Sequence, residues 1–470
     1  MNFQLLNTMK QTLLVTLFLF ISVFSFSSTK KEDRKCNEVF RDQYHFSPET
    51  NRIGSPIAIW YGNSVYHLYY QYNSFNLMEG YFNWGHATSP DLIHWNSQEP
   101  VIVQPSSVAD SMHLTPWWGA VNDEDGQLYA WFNRWDDAIY RIKSDDGIHW
   151  TNEEAVKGLE DLKQSEPYVF WYEPDKKWVM FVYNRPEGKM HILNAEDGIN
   201  WTETFSFNYR YGFPQVIELN VDRKPDVTRW VLITEGGTYM LGDFDGETFS
   251  IKSPIKNFNY GKEVGGTVVF NDKLNNRVVA VSQLKSEQQA DLPSNGLFTF
   301  PSEIALHEFD SGIELVMHPI GEIGDLHLKT QLWEDEKIYP GVNDNILKRL
   351  KGKEFHLKGE LVNLNSDLFG FLIRCNRDKK GFEISYNVKQ GILTVMGHQI
   401  NYQLKDNKMQ FELLVDRSSV EFYLEDGRYL FSIPFSPIPE SVRYELFTSG
   451  GEIMVKQFEA SEMKSIWEEE

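Results

Sequence analysis

The sequence predicts an all-β protein, a five-bladed β-propeller followed by a C-terminal β-sandwich. The first observation is a repeated phrase of acidic turn, isoleucine, polar residue and tryptophan, found in SPDLIHW (89–95), SDDGIHW (144–150) and AEDGINW (195–201). The second is a hairpin-like unit that precedes each copy, with two further units after the last copy. The third is a change of pattern near residue 323, after which short alternating strands continue toward the C-terminus.

Each hairpin-like unit is a polar turn leading into a strand of alternating aromatic and aliphatic residues. Such a unit cannot bury both of its faces alone, but radial stacking of repeated sheets buries them and leaves a central funnel. We therefore predict a propeller over residues 38–322. The five units are WYGNSVYHLYYQY (60–72), NDEDGQLYAWFNR (122–134), YEPDKKWVMFVYN (172–184), VDRKPDVTRWVLITEGG (221–237) and NDKLNNRVVAVSQL (271–284).

Two further segments follow the propeller. Residues 323–353 are polar and show no strand alternation, so they are expected to form a linker with a short helical piece near residues 345–350. Residues 354–460 contain short strands at even spacing with turn residues between them, which is typical of a β-sandwich.

The N-terminus has the order of a secretory signal peptide, which we place at residues 1–28. A lysine, Lys10, precedes an apolar run from Leu13 to Phe26, and small residues follow. This run is shorter than the roughly 20 residues that span a bilayer. A permanent anchor helix is the alternative. A cleaved signal predicts a secreted, periplasmic or cell-surface protein without a membrane span.

Composition narrows the classes of partner. The formal net charge is −22, whereas nucleic-acid binding needs clustered lysine and arginine, so no nucleic-acid partner is expected. The charge also disfavours a polyanionic substrate, while neutral ligands remain open. Cys36 and Cys375 permit one disulfide but do not require it. No histidine–cysteine cluster or glycine-rich phosphate loop is present, so no metal or cofactor is expected.

Three long segments resemble glycoside hydrolase family 32, the invertases, levanases and inulinases. The segments are RDQYHFSPETNRIGSPIAIWYGNSVYHLYYQYNSFNLMEGYFNWGHATSPDLIHW (41–95), GDFDGETFSIKSPIKNFNYGKE (242–263) and LLVDRSSVEFYLEDGRYL (413–430). This resemblance implies a five-bladed propeller with an appended sandwich. It also implies that fructose-containing sugars bind in the propeller funnel, so a glycan is the expected partner. The sequence carries no signal for the number of subunits.

The resemblance also locates the family's three catalytic carboxylates, and this chain departs from the family at all three. The nucleophile position of the Trp-Met-Asn-Asp-Pro-Asn-Gly motif falls on Ser55, and the tryptophan falls on Arg52. The aspartate of Arg-Asp-Pro falls on Glu166, and the acid/base glutamate of Glu-Cys-Pro falls on Gly212. A neutral serine needs a base before it can attack, and glycine has no proton to give. The family's retaining mechanism is therefore expected to be absent.

Glu166 is the candidate catalytic residue, either as a relocated acid or base or as a ligand for sugar hydroxyls. The alternative is a solvated funnel carboxylate. Asp110, Glu235 and Glu263 are further carboxylates that could complete a pair, although each also fits a turn or rim position. Two carboxyls about 6.5–9.5 Å apart would suggest inversion through a water molecule.

The remaining candidates are residues for substrate binding. Gln71, Asn83 and Trp84 match family residues that contact fructose, and Trp117 with Trp118 can stack on a sugar ring or pack a blade. An arginine at position 52 can pair with Glu166 or meet an anionic group of a ligand. The full candidate set for substrate binding is Arg52, Ser55, Gln71, Asn83, Trp84, Trp117 and Trp118.

Two main functions are consistent with these residues. The chain is either a glycan-binding protein that kept the fructosidase fold, or a divergent glycosidase whose carboxylates have moved. A purely structural or protein-binding propeller is a third possibility.

Overall fold

The computed structural model describes residues 36–78, 83–103, 119–124, 126–133, 138–162, 165–287, 289, 292–341 and 346–467. The predicted signal peptide, Asp110, Trp117 and Trp118 lie outside these residues. Residues 38–469 form one compact unit, to which the following description applies. Helices of the described residues are short, and none is long and apolar enough to cross a membrane.

The first three blades are separate antiparallel sheets, each built from consecutive strands. Blade one contains β1 (Asn51–Gly62), β2 (Val65–Asn73), β3 (Asn83–Ser89) and β4 (Asn96–Ile102). Blade two contains β5 (Gly119–Glu124), β6 (Gln127–Asn133), β7 (Ile139–Ser144) and β8 (Thr151–Ala155). Blade three contains β9 (Ser165–Tyr172), β10 (Lys177–Asn184), β11 (Lys189–Ala195) and β12 (Thr202–Asn208).

The last two blades are joined edge to edge, and within blade five the chain makes one short excursion to blade one. Blade four contains β13 (Gln215–Val221), β14 (Lys224–Thr234), β15 (Thr238–Phe244), β16 (Phe249–Ile251) and β17 (Lys256–Asn257). Blade five contains β18 (Val264–Asp272), β19 (Arg277–Leu284), β21 (Leu297–Phe298), β22 (Ser302–Phe309) and β23 (Gly312–Pro319). The two-residue strand β20 (Ser294–Asn295) pairs in parallel with the start of β1 and so closes the ring.

The repeated phrase of the sequence forms a hydrogen-bonded turn in each of its copies. The aspartates Asp91, Asp146 and Asp197 each accept two backbone N–H bonds, from the residues two and three positions later. Asp245 makes the same pair of bonds, so a fourth copy is present with Phe249 in the place of tryptophan. An aspartate that satisfies its own turn in this way explains why this residue recurs in each blade.

Two sheets pack as the C-terminal sandwich, which confirms the predicted fold class. The six-stranded sheet contains β24 (His327–Ile338), β34 (Ile453–Met463), β25 (Phe355–Asn363), β30 (Lys408–Val415), β31 (Ser419–Leu424) and β32 (Tyr429–Pro434). The five-stranded sheet contains β29 (His398–Asn401), β28 (Ile392–Val395), β27 (Phe382–Asn387), β26 (Leu368–Cys375) and β33 (Arg443–Ser449).

The expectation of a strand-free linker at residues 323–353 was wrong. This segment contains β24, which pairs antiparallel with β34 along most of its length. β24 is an edge strand and is largely exposed, so its polar composition hides the alternation that marks a half-buried strand. Two 3-10 helices flank it, Gly321–Leu326 and Ile346–Arg349, and the second falls in the expected helical piece.

A buried ion network joins the start of the propeller to the sandwich. The ring of His45 bonds to Asp416 at 2.9 Å and to Glu421 at 3.0 Å, and all three side chains are fully buried. Asp42 accepts hydrogen bonds from the backbone N–H of Ser418 and the hydroxyl of Ser419. Asp42, His45 and Asp416 offer ligand atoms within 4.8 Å of one another, but hydrogen bonds within the protein already engage these side chains.

Candidate active site

The candidate site lies where the innermost strands of the blades begin. Ser55 is near the start of β1, Glu166 is the second residue of β9, and Gly212 lies just before β13. The pairing of β1 with β2 is irregular on both sides of Pro56, which has no N–H to donate to the ladder. Such bulges redirect a side chain near a functional site, and here the redirected residue is Ser55.

Ser55 is held by two glutamines. Its backbone N–H donates to Oε1 of Gln71 at 3.0 Å, and its hydroxyl donates to Oε1 of Gln283 at 3.0 Å. All three side chains are at most 8% exposed. Neither partner is a base, so no hydrogen-bonded group among the described residues would activate this hydroxyl as a nucleophile. The predicted loss of the family's nucleophile is therefore accompanied by a neutral hydrogen-bond network in its place.

Glu166 is a buried carboxylate in which one oxygen is hydrogen-bonded and the other has no hydrogen-bond partner among the described residues. Its Oε1 accepts a hydrogen bond from Arg185 at 2.6 Å, and the side chain is 7% exposed. Its Oε2 has no hydrogen-bond partner among the described residues. Burial raises the pKa of Glu166 to about 7 despite the opposing effect of Arg185, and the charge of Glu235 adds to the rise.

Glu235 fills the space beside the glycine that stands at the family's acid/base position. It follows β14, and its backbone N–H donates to the carbonyl of Tyr211 at 3.1 Å. A Cβ atom added at Gly212 would lie 2.1 Å from Oε2 of Glu235. Burial raises the pKa of Glu235, against the charges of Arg185 and Lys285. A carboxyl from the neighbouring hairpin thus lies where the side chain of residue 212 would begin.

This arrangement predicts the cost of a side chain at position 212. Gly212 has a φ of +78°, and alanine there must also displace the carboxylate of Glu235. Gly126→Ala is the matched control, since Gly126 has a φ of +81° and, among the described residues beyond its chain neighbours, no heavy atom lies within 4 Å of the added Cβ. Both variants should lose about 1 kcal/mol from backbone strain, and Gly212→Ala should lose more in urea unfolding. Equal losses would contradict the placement of Glu235.

The other candidate residues differ in how they relate to the funnel. Asn83 is 1% exposed and donates to the hydroxyl of Ser74 at 2.8 Å. Trp84 is 0% exposed, and its ring packs where a Cβ at Gly119 would lie 2.3 Å away. In this structure Trp84 therefore supports the blade rather than presenting a face to a sugar. Arg52 is half-buried in β1 next to β20.

Sequence reasoning missed two residues that shape the site and left a third unplaced. Arg185 follows β10 and was not singled out, although a cation close to a buried carboxylate is a common requirement. Gln283 lies on β19 of blade five, and no sequence motif around it marks it as a site residue. Glu263, another candidate carboxylate, faces His398 of the sandwich, with Nε2 and Oε2 3.6 Å apart.

Both halves of the chain match models of known protein families. Residues 45–319 match the Glycosyl hydrolases family 32 N-terminal domain, and residues 328–462 match the Glycosyl hydrolases family 32 C terminal domain. The chain is 26% identical to a levanase of Bacillus subtilis over 98% of its own length and 76% of that protein. It is also 28% identical to Invertase 1 of Saccharomyces cerevisiae, over 46% of the chain and 48% of that protein.

Solved structures share the fold. The exo-inulinase of Aspergillus awamori superposes with a TM-score of 0.80 at 20% identity, covering 92% of this chain and all of the inulinase chain. A fructofuranosidase of Schwanniomyces occidentalis, solved in complex with fructose, superposes with a TM-score of 0.77 at 19% identity, covering 92% of this chain and 99% of that chain. Two domain matches that together span most of the sequence, and this shared architecture, lead to one conclusion. The chain belongs to glycosyl hydrolase family 32.

Proposed function

We propose that this chain hydrolyses fructose-containing glycans in its propeller funnel without the covalent nucleophile of its relatives. The observation that carries the proposal is the pair of Glu166, which is buried, and Glu235, which is half-buried and fills the space at Gly212. The levanase and invertase among its relatives support a glycan as the substrate. Perturbed carboxyl pKa values at the mouth of a funnel are typical of acid–base sites.

The two carboxyls divide the chemistry of a direct displacement. Glu235 protonates the leaving glycosidic oxygen, because it lies beside the position from which the family's acid acts. Glu166 accepts a proton from a water molecule, which attacks the anomeric carbon as the glycosidic bond breaks. Ser55 is shorter than aspartate and leaves room for this water, and its hydroxyl oxygen can accept a hydrogen bond from it.

The net reaction returns both carboxyls to their starting states. The leaving alcohol takes the proton of Glu235, and Glu166 takes one proton from water. Exchange with solvent then moves the proton back. Because no covalent sugar–enzyme intermediate forms, the released sugar has the inverted anomeric configuration.

Glycan binding without turnover is the second candidate function. The observation that favours it is the network of Ser55 with Gln71 and Gln283, which replaces the nucleophile by neutral groups. A protein of this kind would hold a sugar through hydrogen bonds and leave its bonds intact.

The two functions differ in product release. Sucrose, levan, inulin and a broad panel of other glycans are incubated with the mature chain at high loading, and products and co-sedimentation are followed over time. We expect release of inverted product by wild type and none by Glu166→Gln. Binding without release, independent of time and protein concentration, would replace the hydrolase proposal by the binding one. Retained configuration would contradict the displacement.

We also propose that the protein is exported. The support is the order of charge, apolar run and small residues in residues 9–28, and one relative is named an extracellular exo-inulinase. N-terminal sequencing of protein recovered from its host tests this directly. A mature N-terminus near residue 28 is expected, and an intact Met1 in the recovered protein would contradict export by cleavage.

A further inference from the structure

A second chamber lies further along the propeller channel than the candidate active site. It has a volume of about 1100 Å³ and is lined by the innermost strand of every blade. The lining segments are Ile57–Tyr61 of β1, Ala120–Asp123 of β5, Tyr168–Trp171 of β9, Gln215–Glu218 of β13 and Val268–Asn271 of β18.

The chamber and the candidate active site share no residue. Ser55 and Glu166 lie near the starts of their strands, whereas the chamber wall begins two residues later and continues toward the opposite ends. At about 3.3 Å per residue, Trp60 and Trp171 lie roughly 16 Å further along the chain than Ser55 and Glu166. The chamber is thus the rear half of the channel.

Polar side chains of the wall join neighbouring blades. Asn122 donates to the carbonyl of Val169 at 3.5 Å, and the hydroxyl of Tyr168 donates to the carbonyl of Val216 at 3.1 Å. Gln215 accepts the backbone N–H of Val269 on Oε1 at 3.2 Å. These bonds hold the wall rigid across three blade boundaries.

Gln215 carries the strongest indication of a ligand. Its side chain is 1% exposed, and its Nε2 has no hydrogen-bond partner among the described residues. A buried amide donor without a partner costs free energy, so such groups are normally satisfied by protein, water or a bound molecule. Since the other end of this amide is fixed by Val269, the donor cannot turn away to find another partner.

The remaining wall defines the chemical class of the ligand. Seven aromatic residues of the wall are half-buried: Trp60, Tyr61, Tyr168, Phe170, Trp171, Trp230 and Phe270. The wall holds the carboxylates Asp123 and Glu218 together with Lys273, while Lys176 pairs with Glu173. Carboxylates therefore outnumber lysines by three to two, and an anion is not favoured. Aromatic rings together with amide and carboxylate groups suit a neutral polyhydroxylated molecule, whose C–H faces pack on rings while its hydroxyls bond to polar groups.

We propose that this rear chamber, defined by the five lining segments, binds a neutral oligosaccharide independently of the candidate active site. Gln215 donates to a sugar hydroxyl through Nε2, and the half-buried rings contact the sugar faces. A second glycan site on one rigid wall would keep a polymeric substrate attached to the protein between encounters with the funnel.

The test uses the mature chain carrying Glu166→Gln. Calorimetry measures its binding of the neutral trisaccharide 1-kestose, and glucuronate is the charged comparison. Gln215→Glu is added as the chamber variant, because it keeps an acceptor oxygen for the N–H of Val269 and replaces the amide donor by a carboxylate oxygen, which also adds a negative charge to the wall. Asn122→Trp is a second chamber variant that fills the space. Urea unfolding of each variant verifies that it is folded.

We expect a binding component that both chamber variants weaken by about tenfold or more, the equivalent of one buried hydrogen bond. Adding Glu235→Gln to this Glu166→Gln chain should leave the component unchanged, which separates it from the funnel and from the proposed hydrolysis. Two results would overturn the proposal. One is the absence of any component that depends on the chamber variants, and the other is equal binding of glucuronate.

Discussion

Replacing Glu235 by glutamine should lower kcat for hydrolysis of a natural glycan by about 10²- to 10⁴-fold, the usual contribution of general acid catalysis. Glutamine preserves the shape of the side chain beside Gly212 but has no acidic proton. The measurement is initial rate on the best substrate of the glycan panel. The control is Glu196→Gln, since Glu196 is an exposed carboxylate of blade three and should leave the rate unchanged.

The leaving group separates a proton donor from a structural role. The nitrophenolate of a nitrophenyl fructoside is a good leaving group that departs without protonation. Glu235→Gln should therefore slow the hydrolysis of this substrate much less than that of a natural glycan. A similar loss of rate on both substrates would instead mean that Glu235 positions the substrate and does not donate a proton.

The pH profile of hydrolysis gives a second readout. Since burial raises the pKa of Glu166 to about 7 and also raises that of Glu235, the bell-shaped profile should lie above the usual carboxyl range.

Replacing His45 by leucine should lower the free energy of unfolding by about 3–5 kcal/mol, the range measured when one partner of a buried ion pair is removed. The variant leaves Asp416 and Glu421 buried without their shared cation. Urea unfolding at neutral pH provides the measurement. His149→Leu is the control, because His149 pairs with Asp146 at an exposed position and should cost less than about 1 kcal/mol.

The sign of the pH dependence follows from the same contacts. Burial alone would lower the pKa of His45, but the hydrogen bonds and charges of Asp416 and Glu421 raise it to about 10. The stabilisation is therefore fully present below the ordinary histidine pKa and is lost as pH rises through about 10. The difference in stability between wild type and His45→Leu should shrink over that interval. A difference that stays constant up to pH 11 would contradict a charged His45.

The fold could be predicted from the sequence because the sequence patterns of its turns and strands are local and repeated. The aspartate turns and alternating strands recur in several blades, and the long matching segments identify the family. The fourth turn, at Asp245, was missed because Phe249 replaces the tryptophan used to recognise the phrase. The strand β24 was missed because an exposed edge strand needs no apolar alternation.

The site was predictable only where it repeats a family motif. Ser55, Glu166 and Gly212 could be placed by resemblance, and their spatial neighbours could not. Glu235 was one of several scattered carboxylates until the fold brought the hairpin after β14 against Gly212. The partnership of His45 with Asp416 joins opposite ends of the chain, and a separation of this kind leaves no pattern in one sequence.

The closure of the ring by β20 has a consequence for folding kinetics. The hairpins of each blade join residues that are close in sequence, so they can form early, before any ring exists. The pairing of Asn51 with Ser294 and the hydrogen bond of Tyr66 to Asp272 must instead bring together residues separated by nearly the whole propeller. Because loop-closure entropy opposes such distant contacts, closure is the late step of folding, and the funnel is complete only when it has occurred.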